Sequence, residues 1–562
     1  MGIKVMKNNA LALPESTQDS FSAHQEIWQN NYPAGLKWDS PIDCAPVHTI
    51  LDASVKKFAD RPAISSAGIT FDYAALGTLV DKIATGLQNI GIGKGIKIGL
   101  FMPNTHYSIA FYYGALKAGA TIVNYNPLYV ERELEYQIED SETDYMVTLD
   151  AAPLFEKANN VLKSTRMKAL ILCPAGADSA EILAAPEYIH YKDLIDNAGD
   201  VAAVSIDPKQ DIAVLQYTGG TTGVPKGAML SHENLYANAM QMAYWHSPVA
   251  IEGQESIIGA IPLFHVFSMT VVMNMALKLG MEIILVPKFD PVEFIQLLKD
   301  KKPTFFPAVP TIYNAIATHP AGEGLDLSFV KFCISGGAPL PEGIKNAFED
   351  RTGARLGEGY GLTEASPVVT CNPTKGKSKL GSIGLPIPAT NLEIINMEDG
   401  MTPLGIGEKG EVCLSGPQVM KGYFNKPEAT AEVIKNGRLH TGDVGYMDSE
   451  GYVHLVDRIK DVILVRGYNV YPTQIEGAIS LHDAVGECMV AGVPDEERGE
   501  TVWAWIFPKD GKALHADEMK AFLADKISPI EMPRNIIIRD TPLPKTAVGK
   551  LSRKLLLEEA GF

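Results

Sequence analysis

The chain has 562 residues, 46% hydrophobic and 21% charged, an ordinary balance for a soluble globular protein and too long for one core, so three or four subdomains are expected. A formal charge of −18 with no offsetting basic run argues against nucleic-acid binding. The six cysteines (44, 173, 333, 371, 413 and 488) form no C-x-x-C pair, which suggests neither a zinc site nor a disulfide framework and fits a reducing cytoplasm.

No basic start followed by an apolar core marks a signal peptide, and Met6 stands where a myristoylation motif beginning at Gly2 wants Ser or Thr. Residues 48–200 alternate helical stretches with short apolar strands. Leu76–Ile90 reads as an amphipathic helix, Ile96–Met102 as a strand and Ser108–Lys117 as a helix. The Ala- and Asp-rich stretch 174–205 reads as a surface excursion. The rhythm resumes with strands at 212–215, 257–261, 282–286, 304–306 and 331–334, each followed by a helical pattern, which predicts a mostly parallel, covered sheet. Ile257–Leu277 carries no formal charge, but Pro262, His265 and Asn274 would need partners in lipid, so a buried strand and helix are predicted there rather than a membrane span. From about 380 to 456 short strands with Gly and Pro turns predict a small barrel or twisted antiparallel unit. After Asp457-Arg458-Ile459-Lys460 a compact module follows: helix 473–481, strands 487–493 and 501–507, helix 515–525 and a basic C-terminal stretch.

The most informative segment is Tyr217-Thr-Gly-Gly-Thr-Thr-Gly-Val-Pro-Lys-Gly-Ala-Met229. Gly219, Gly220 and Gly223 permit turns that gather successive N–H groups around one anion. Thr218, Thr221 and Thr222 add hydroxyls, and Lys226 adds a cation. The inventory is that of a phosphate cradle. It is neither a Walker loop, since Gly227 rather than a hydroxyl follows Lys226, nor G-x-G-x-x-G. Four further segments suit the same kind of ligand. Ser335-Gly-Gly337-Ala338-Pro follows a strand and would bring bare backbone against a flat group. Gly359-Tyr360-Gly361-Leu-Thr363-Glu364 offers an aromatic face, a hydroxyl and a carboxylate. Thr441-Gly-Asp443 places a carboxylate after a turn, suited to a ribose diol. Pro544–Lys550 presents a lysine near the C-terminus. Each alone is weak evidence, because Gly-rich turns are more often structural; the ordered set is not.

With these motifs the chain resembles the adenylate-forming superfamily of acyl-CoA synthetases, peptide-synthetase adenylation domains and beetle luciferases, over roughly residues 45–555. Within it, the chain looks most like bacterial long-chain fatty acid–CoA ligases. Asn436–Asp443 running on to Val456–Lys460 matches the fatty-acyl-CoA synthetase signature, departing at Arg438 (usually Trp) and Ile459 (often Lys). Val123–Tyr129 with Arg132–Glu135 is similar to the same subgroup.

The resemblance implies an α/β fold: residues 1–457 as two parallel-sheet subdomains plus a small β-barrel near 380–456, then a mobile α+β domain over 458–562. It implies ATP, CoA and a fatty acid as substrates and Mg²⁺ as cofactor. The 218–226 loop would hold the β- and γ-phosphates, and Thr221 and Glu364 the Mg²⁺. Tyr360 would stack on adenine opposite Gly337 and Ala338, with Gly359 and Gly361 beside it. Asp443 and Arg458 would hold the ribose, and Thr363 a phosphate oxygen. Lys550 would bridge the α-phosphate and the substrate carboxylate. The C-terminal domain would pivot at Lys460 between half-reactions, withdrawing Lys550 and bringing Gly467 beside the pantetheine tunnel. His265, Phe267 and Met269 would line the acyl route, with Met269 where relatives often carry a gating Trp; a satisfied core histidine is an equal reading of His265. Peripheral contact with a membrane's inner face rests on the family alone, as no polybasic anchor is visible. Medium-chain or aryl-acid CoA ligases and fatty acyl-AMP ligases are the alternative enzyme readings, and a non-catalytic binding protein is the reading from another class. Oligomeric state, monomer or homodimer, and acyl length stay open.

Overall fold

Short apolar strands separated by amphipathic helices build two covered sheets, as the periodicity predicts. The structure, a computed structural model, describes residues 27–562 except 67, 180–181, 183–184, 219–223, 467, 496–497 and 546–550. Among the described residues the first sheet runs in the order Tyr188–His190, Ala169–Cys173, Tyr145–Leu149, Lys97–Phe101, Thr121–Asn124, Ile212–Thr218 and Lys226–Ser231. All neighbours are parallel except the last pair, a hairpin. Two expectations change here. The strand beginning at Ile212 is followed first by the antiparallel Lys226–Ser231 and only then by the helix His232–His246. The 174–205 stretch also contributes an edge strand, Tyr188–His190, to the sheet.

The second sheet has a parallel centre: Leu356–Gly361, Phe332–Ser335, Phe305–Ala308, Ser256–Gly259, Glu282–Leu285 and Pro62–Ser66. Antiparallel strands Val368–Cys371 and Leu385–Pro386 extend one edge, and Ile69–Asp72 the other. The uncharged run from Ile257 resolves as the strand Ser256–Gly259 and a buried helical stretch, Ser268–Asn274 in π geometry and Met275–Lys278 in α. Among the described residues no helix is long and apolar enough to cross a membrane.

Helix ends follow local chemistry. Asp72 accepts the Ala75 N–H at 2.7 Å to start Tyr73–Asn89. Thr105 and Ser108 form a reciprocal capping box for His106–Ala118. These two helices pack closely because Gly114 leaves room: a Cβ there would stand 2.6 Å from Ile83 Cγ2.

The two sheets meet at their carboxyl ends. Asn104, just past Phe101, donates to the carbonyls of Gly259 (3.1 Å) and Ile261 (3.0 Å) and accepts the Leu263 N–H at 2.7 Å. Asn124 donates to Gln216 at 2.9 Å, and Gln216 in turn to the Phe264 carbonyl at 3.0 Å. Buried side chains paired in this way fix the crevice outside the strand ends, where open α/β sheets bind ligands.

A third sheet, antiparallel, is built from Asn391–Ile395, Gly410–Ser415, Arg438–Met447, Ile434–Lys435 and Val453–Arg458. The fourth belongs to the C-terminal module: Tyr468–Val470, Ile463–Val465, Gly499–Pro508, Val485–Asp495 and Asn535–Ile538, with helices Pro472–Ser480 and Ala516–Leu523 on it. Its own apolar core includes Ile475, Ile479, Val490, Ile506 and Leu523.

Candidate active site

Several of the predicted motifs lie at or just past strand ends, while Thr441-Gly442-Asp443 lies inside the strand Arg438–Met447. Thr218 pairs with Lys226 at the end of the hairpin. Gly219, Gly220, Thr221, Thr222 and Gly223 between them lie outside the described residues, as do Gly467 and Lys550. Lys545 and Leu551, which flank Lys550, form an antiparallel bridge.

Tyr360, Asp443 and Arg458 form one cluster. Strands Arg438–Met447 and Val453–Arg458 pair so that Asp443 and Arg458 are direct neighbours, and Arg458 Nε lies 3.0 Å from Asp443 Oδ1. The Tyr360 hydroxyl donates to the other carboxylate oxygen. Burial, then the neighbouring Asp443 charge, push the Tyr360 hydroxyl well above the usual phenol pKa, so it stays a donor. Asp443 itself is buried while the Arg458 side chain reaches solvent, which leaves an acidic floor under an exposed cationic wall.

The strand Leu356–Gly361 aligns Gly359 and Tyr360 beside the loop after Phe332–Ser335. A Cβ on Gly336 would meet Phe267 at 3.0 Å and the Gly359 carbonyl at 3.6 Å. The bare backbone at 336 therefore touches both the tyrosine strand and Phe267. Gly337 has φ +80°, the left-handed region, and Ala338 follows it. Gly361 is equally constrained: a Cβ would stand 2.2 Å from the Pro367 carbonyl oxygen. Thr363 and Glu364 lie in the short 3₁₀ turn just beyond.

Glu364 has a partner that the sequence does not announce. The Tyr423 hydroxyl donates to Glu364 Oε1 at 2.7 Å, and the Lys226 ammonium lies 5.1 Å from the centre of the Tyr423 ring. Tyr423 is held there by backbone pairing of residues 421–424 with the hairpin strand: Lys421 N–H to Met229 O (2.9 Å) and Phe424 N–H to Gly227 O (2.8 Å). One Glu364 oxygen is thus oriented, and a single fixed carboxylate is what Mg²⁺ asks of a protein when substrate phosphates supply further ligands. Glu358 is a second residue missed from sequence. Burial pushes its carboxyl up to about 7, although Oε1 accepts the Leu340 N–H at 3.2 Å. An acidic residue next to a Gly-Tyr-Gly motif carries no signal that it will be buried.

The segment expected to line the acyl route starts where His265 begins a turn, its Nδ1 accepting the Phe267 N–H at 3.2 Å. Phe267 and Met269 are buried, and Asn124 Nδ2 lies 3.6 Å from Met269 Sδ. A cavity of about 20 Å³ beside them is lined by Leu100, Met102, Tyr112, Asn124, Phe264 and Met273 among others. That is room for about one water. An acyl chain needs these side chains to move, and the π geometry of Ser268–Asn274, a form frequent at functional sites, lies in the same wall.

Arg438, the departure from the signature, is buried and grips Glu393 with both Nε (2.5 Å) and Nη2 (3.1 Å), so a planar cation replaces an expected indole. Ile459 is exposed beside Lys460 in a 3₁₀ turn. Across that turn, Asp457 accepts the Thr473 N–H at 2.7 Å and so ties the start of a C-terminal-module helix to the preceding domain.

Comparison with known proteins agrees with this architecture. Residues 51–424 match the model of the AMP-binding enzyme family, and 474–550 that of the AMP-binding enzyme C-terminal domain. The chain is 42% identical to a long-chain-fatty-acid–CoA ligase of Bacillus subtilis, covering 95% of this chain and 98% of that protein. It is 35% identical to a protein of the same name from Escherichia coli O6:H1, with the same coverage. The ATP-bound crystal structure of MatB from Rhodopseudomonas palustris superposes with a TM-score of 0.82 at 28% identity, over 92% of this chain and 99% of that one. On this near-full-length likeness, the chain belongs to the AMP-binding enzyme family.

Proposed function

We propose that the protein is a long-chain fatty acid–CoA ligase that works through an acyl-adenylate. A carboxylate oxygen is too poor a leaving group for direct thiol attack. Attack of the carboxylate on the α-phosphorus of ATP makes acyl-AMP and releases pyrophosphate, after which the CoA thiol displaces AMP. The first step needs charge neutralised around phosphorus and the reacting oxygen held in line, with little covalent help from the protein.

The residues take these roles. The 218–226 loop, with Lys226 as clamp, holds the β- and γ-phosphates. Thr221 and Glu364 would hold Mg²⁺, which would supply neutralisation of the phosphate charge. Adenine stacks on Tyr360 against residues 337–338, the ribose hydroxyls bond Asp443 and Arg458, and Thr363 donates to a phosphate oxygen. Lys550 bridges the α-phosphate and the fatty carboxylate, in a C-terminal domain beginning at 458 and pivoting at Lys460. The acyl chain runs past His265, Phe267 and Met269, and pantetheine enters by Gly467. The observation that carries the reading is the junction at Gly336, where bare backbone touches both the tyrosine strand of the nucleotide cluster and Phe267 of the acyl wall. A nucleotide grip and an apolar route share one corner, as adenylation of a fatty acid requires. The proposed setting is the cytoplasm, with substrate gathered at a membrane's inner face; all six cysteines are unpaired, in keeping with a reducing compartment.

The test is turnover of ATP with CoA over a panel of short-, medium- and long-chain and aryl acids. AMP and acyl-CoA should form in equal amounts, with the highest kcat/KM for long chains. Release of ADP, or a preference for aryl acids, would refute the assignment. Adenylate formed without thioester would point to a fatty acyl-AMP ligase instead.

A further inference from the structure

The strands Gly410–Ser415 and Arg438–Met447 pair antiparallel, but their register slips between Glu411 and Cys413. Cys413 faces His440 while Glu411 faces Val444, so Thr441, Gly442 and Asp443 stand opposite Val412 alone. The result is a bulge, a device that re-aims a side chain beside a site. Gly442 occupies it with φ +73°, a conformation that favours glycine.

What holds the bulge is a buried side-chain pair. Glu411 Oε1 accepts the Gly442 N–H at 2.9 Å, and Oε2 lies 2.7 Å from His440 Nδ1. Thr441 completes the frame, donating to the Val412 carbonyl at 2.7 Å and accepting the Asp443 N–H at 3.0 Å. Burial opposes ionisation of Glu411, yet the bonds from His440 and Gly442 hold its carboxyl below the ordinary range. A charged acceptor therefore grips the backbone immediately before Asp443.

Cys413 Sγ lies 3.3 Å from His440 Nδ1, and the three donor atoms fall within 4.8 Å of one another, a spacing that would also suit a metal ion. Both Glu411 oxygens, however, already face N–H donors. Burial and the Glu411 charge push the Cys413 thiol up, so that in this cluster it is a neutral S–H group beside His440. The arrangement favours a frame over a metal site.

We propose that Glu411 and His440 are positioning residues that aim Asp443 and thereby set the enzyme's discrimination for the ribose hydroxyls of its nucleotide. The inference rests on the proposed placing of the ribose at Asp443. Its test compares kcat/KM for ATP and for 2′-deoxy-ATP and 3′-deoxy-ATP in fatty-acid-dependent pyrophosphate release. Glu411→Ala should reduce the preference for ATP over the deoxy nucleotides by about tenfold, whereas Glu411→Gln, which keeps an acceptor for Gly442, should stay within about threefold of wild type. His440→Ala should lower the preference by about threefold, and His440→Asn, whose amide can donate from the place of Nδ1, should restore it. If Glu411→Ala does not fold, the His440 pair carries the test alone. A Glu411→Ala enzyme that loses equally on all three nucleotides, while Asp443→Asn loses its preference, would overturn the inference and leave the ribose placing intact. An Asp443→Asn enzyme with unchanged preference would overturn both. Stoichiometric metal in the purified wild type that disappears in Cys413→Ser would likewise overturn the frame in favour of a metal site.

Discussion

Tyr423 illustrates how one hydroxyl sets the direction of another group. Its bond to Glu364 at 2.7 Å orients the carboxylate proposed to meet Mg²⁺, and its ring lies beneath Lys226. Tyr423→Phe keeps the ring and removes only the donor. The expected result is a rise of about tenfold in the Mg²⁺ concentration needed for half-maximal adenylation, roughly the worth of one charge-assisted bond, with KM for the fatty acid unchanged. An unaltered Mg²⁺ dependence would separate Tyr423 from the metal-binding role. This residue was not legible in the sequence. Tyr423 lies in the stretch Lys421-Gly-Tyr-Phe-Asn425, with no carboxylate or glycine-rich turn to mark it, and it reaches Glu364 only because residues 421–424 pair with a strand nearly two hundred positions earlier. By contrast Asp443, Tyr360 and Glu364 are polar or aromatic residues close to glycines in short Gly-containing motifs, and the sequence singles them out.

At the scale of elements, the helices and the parallel strands were readable because burial on both faces demands continuous apolar runs and helix faces demand a 3.6-residue period. The hairpin strand Lys226–Ser231 escaped because it begins inside the phosphate-loop motif and its alternation is short. The edge strand Tyr188–His190 is only three residues, none fully buried, so it looks like loop. The helix His232–His246 ends in a feature that makes stability pH-dependent. His246 is buried against Phe305 and Phe332, and neither ring nitrogen has a hydrogen-bond partner among the described residues. Burial lowers its pKa to about 3. The neutral ring's contribution is complete above the unfolded value near 6.5 and is lost as pH falls toward 3, by about 2 kcal/mol at pH 5. His246→Leu removes this term. The variant's Tm relative to wild type should therefore climb as pH is lowered from 7.5 to 5; a difference independent of pH would contradict the buried neutral histidine.

For the molecule as a whole, the proposed mechanism divides two half-reactions between two placements of one domain. The sequence carried the order of the motifs over more than 300 residues; the motifs lie on different strands or in the loops after them, and the carboxyl ends of the two large sheets converge. What the sequence did not carry is how the C-terminal module is tied to the preceding domain, through the Asp457 carboxylate at the start of its first helix, and held together internally, through Arg553 bound to Asp461 (3.2 Å) and Glu476 (2.7 Å). Those contacts depend on side chains far apart in the chain. If Lys550 serves only adenylation, Lys550→Ala should abolish pyrophosphate release and leave thioester formation from supplied acyl-AMP largely intact. Gly467→Leu should do the reverse. Equal losses in both half-reactions for either variant would rule out the division.

The acyl-adenylate itself can be followed by one measurement. With a long-chain fatty acid labelled with oxygen-18 in its carboxylate, turnover with ATP, Mg²⁺ and CoA should place one labelled oxygen in each AMP, because the carboxylate attacks the α-phosphorus and its bridging oxygen leaves with AMP. AMP free of label, or label found in pyrophosphate or orthophosphate, would contradict the mechanism.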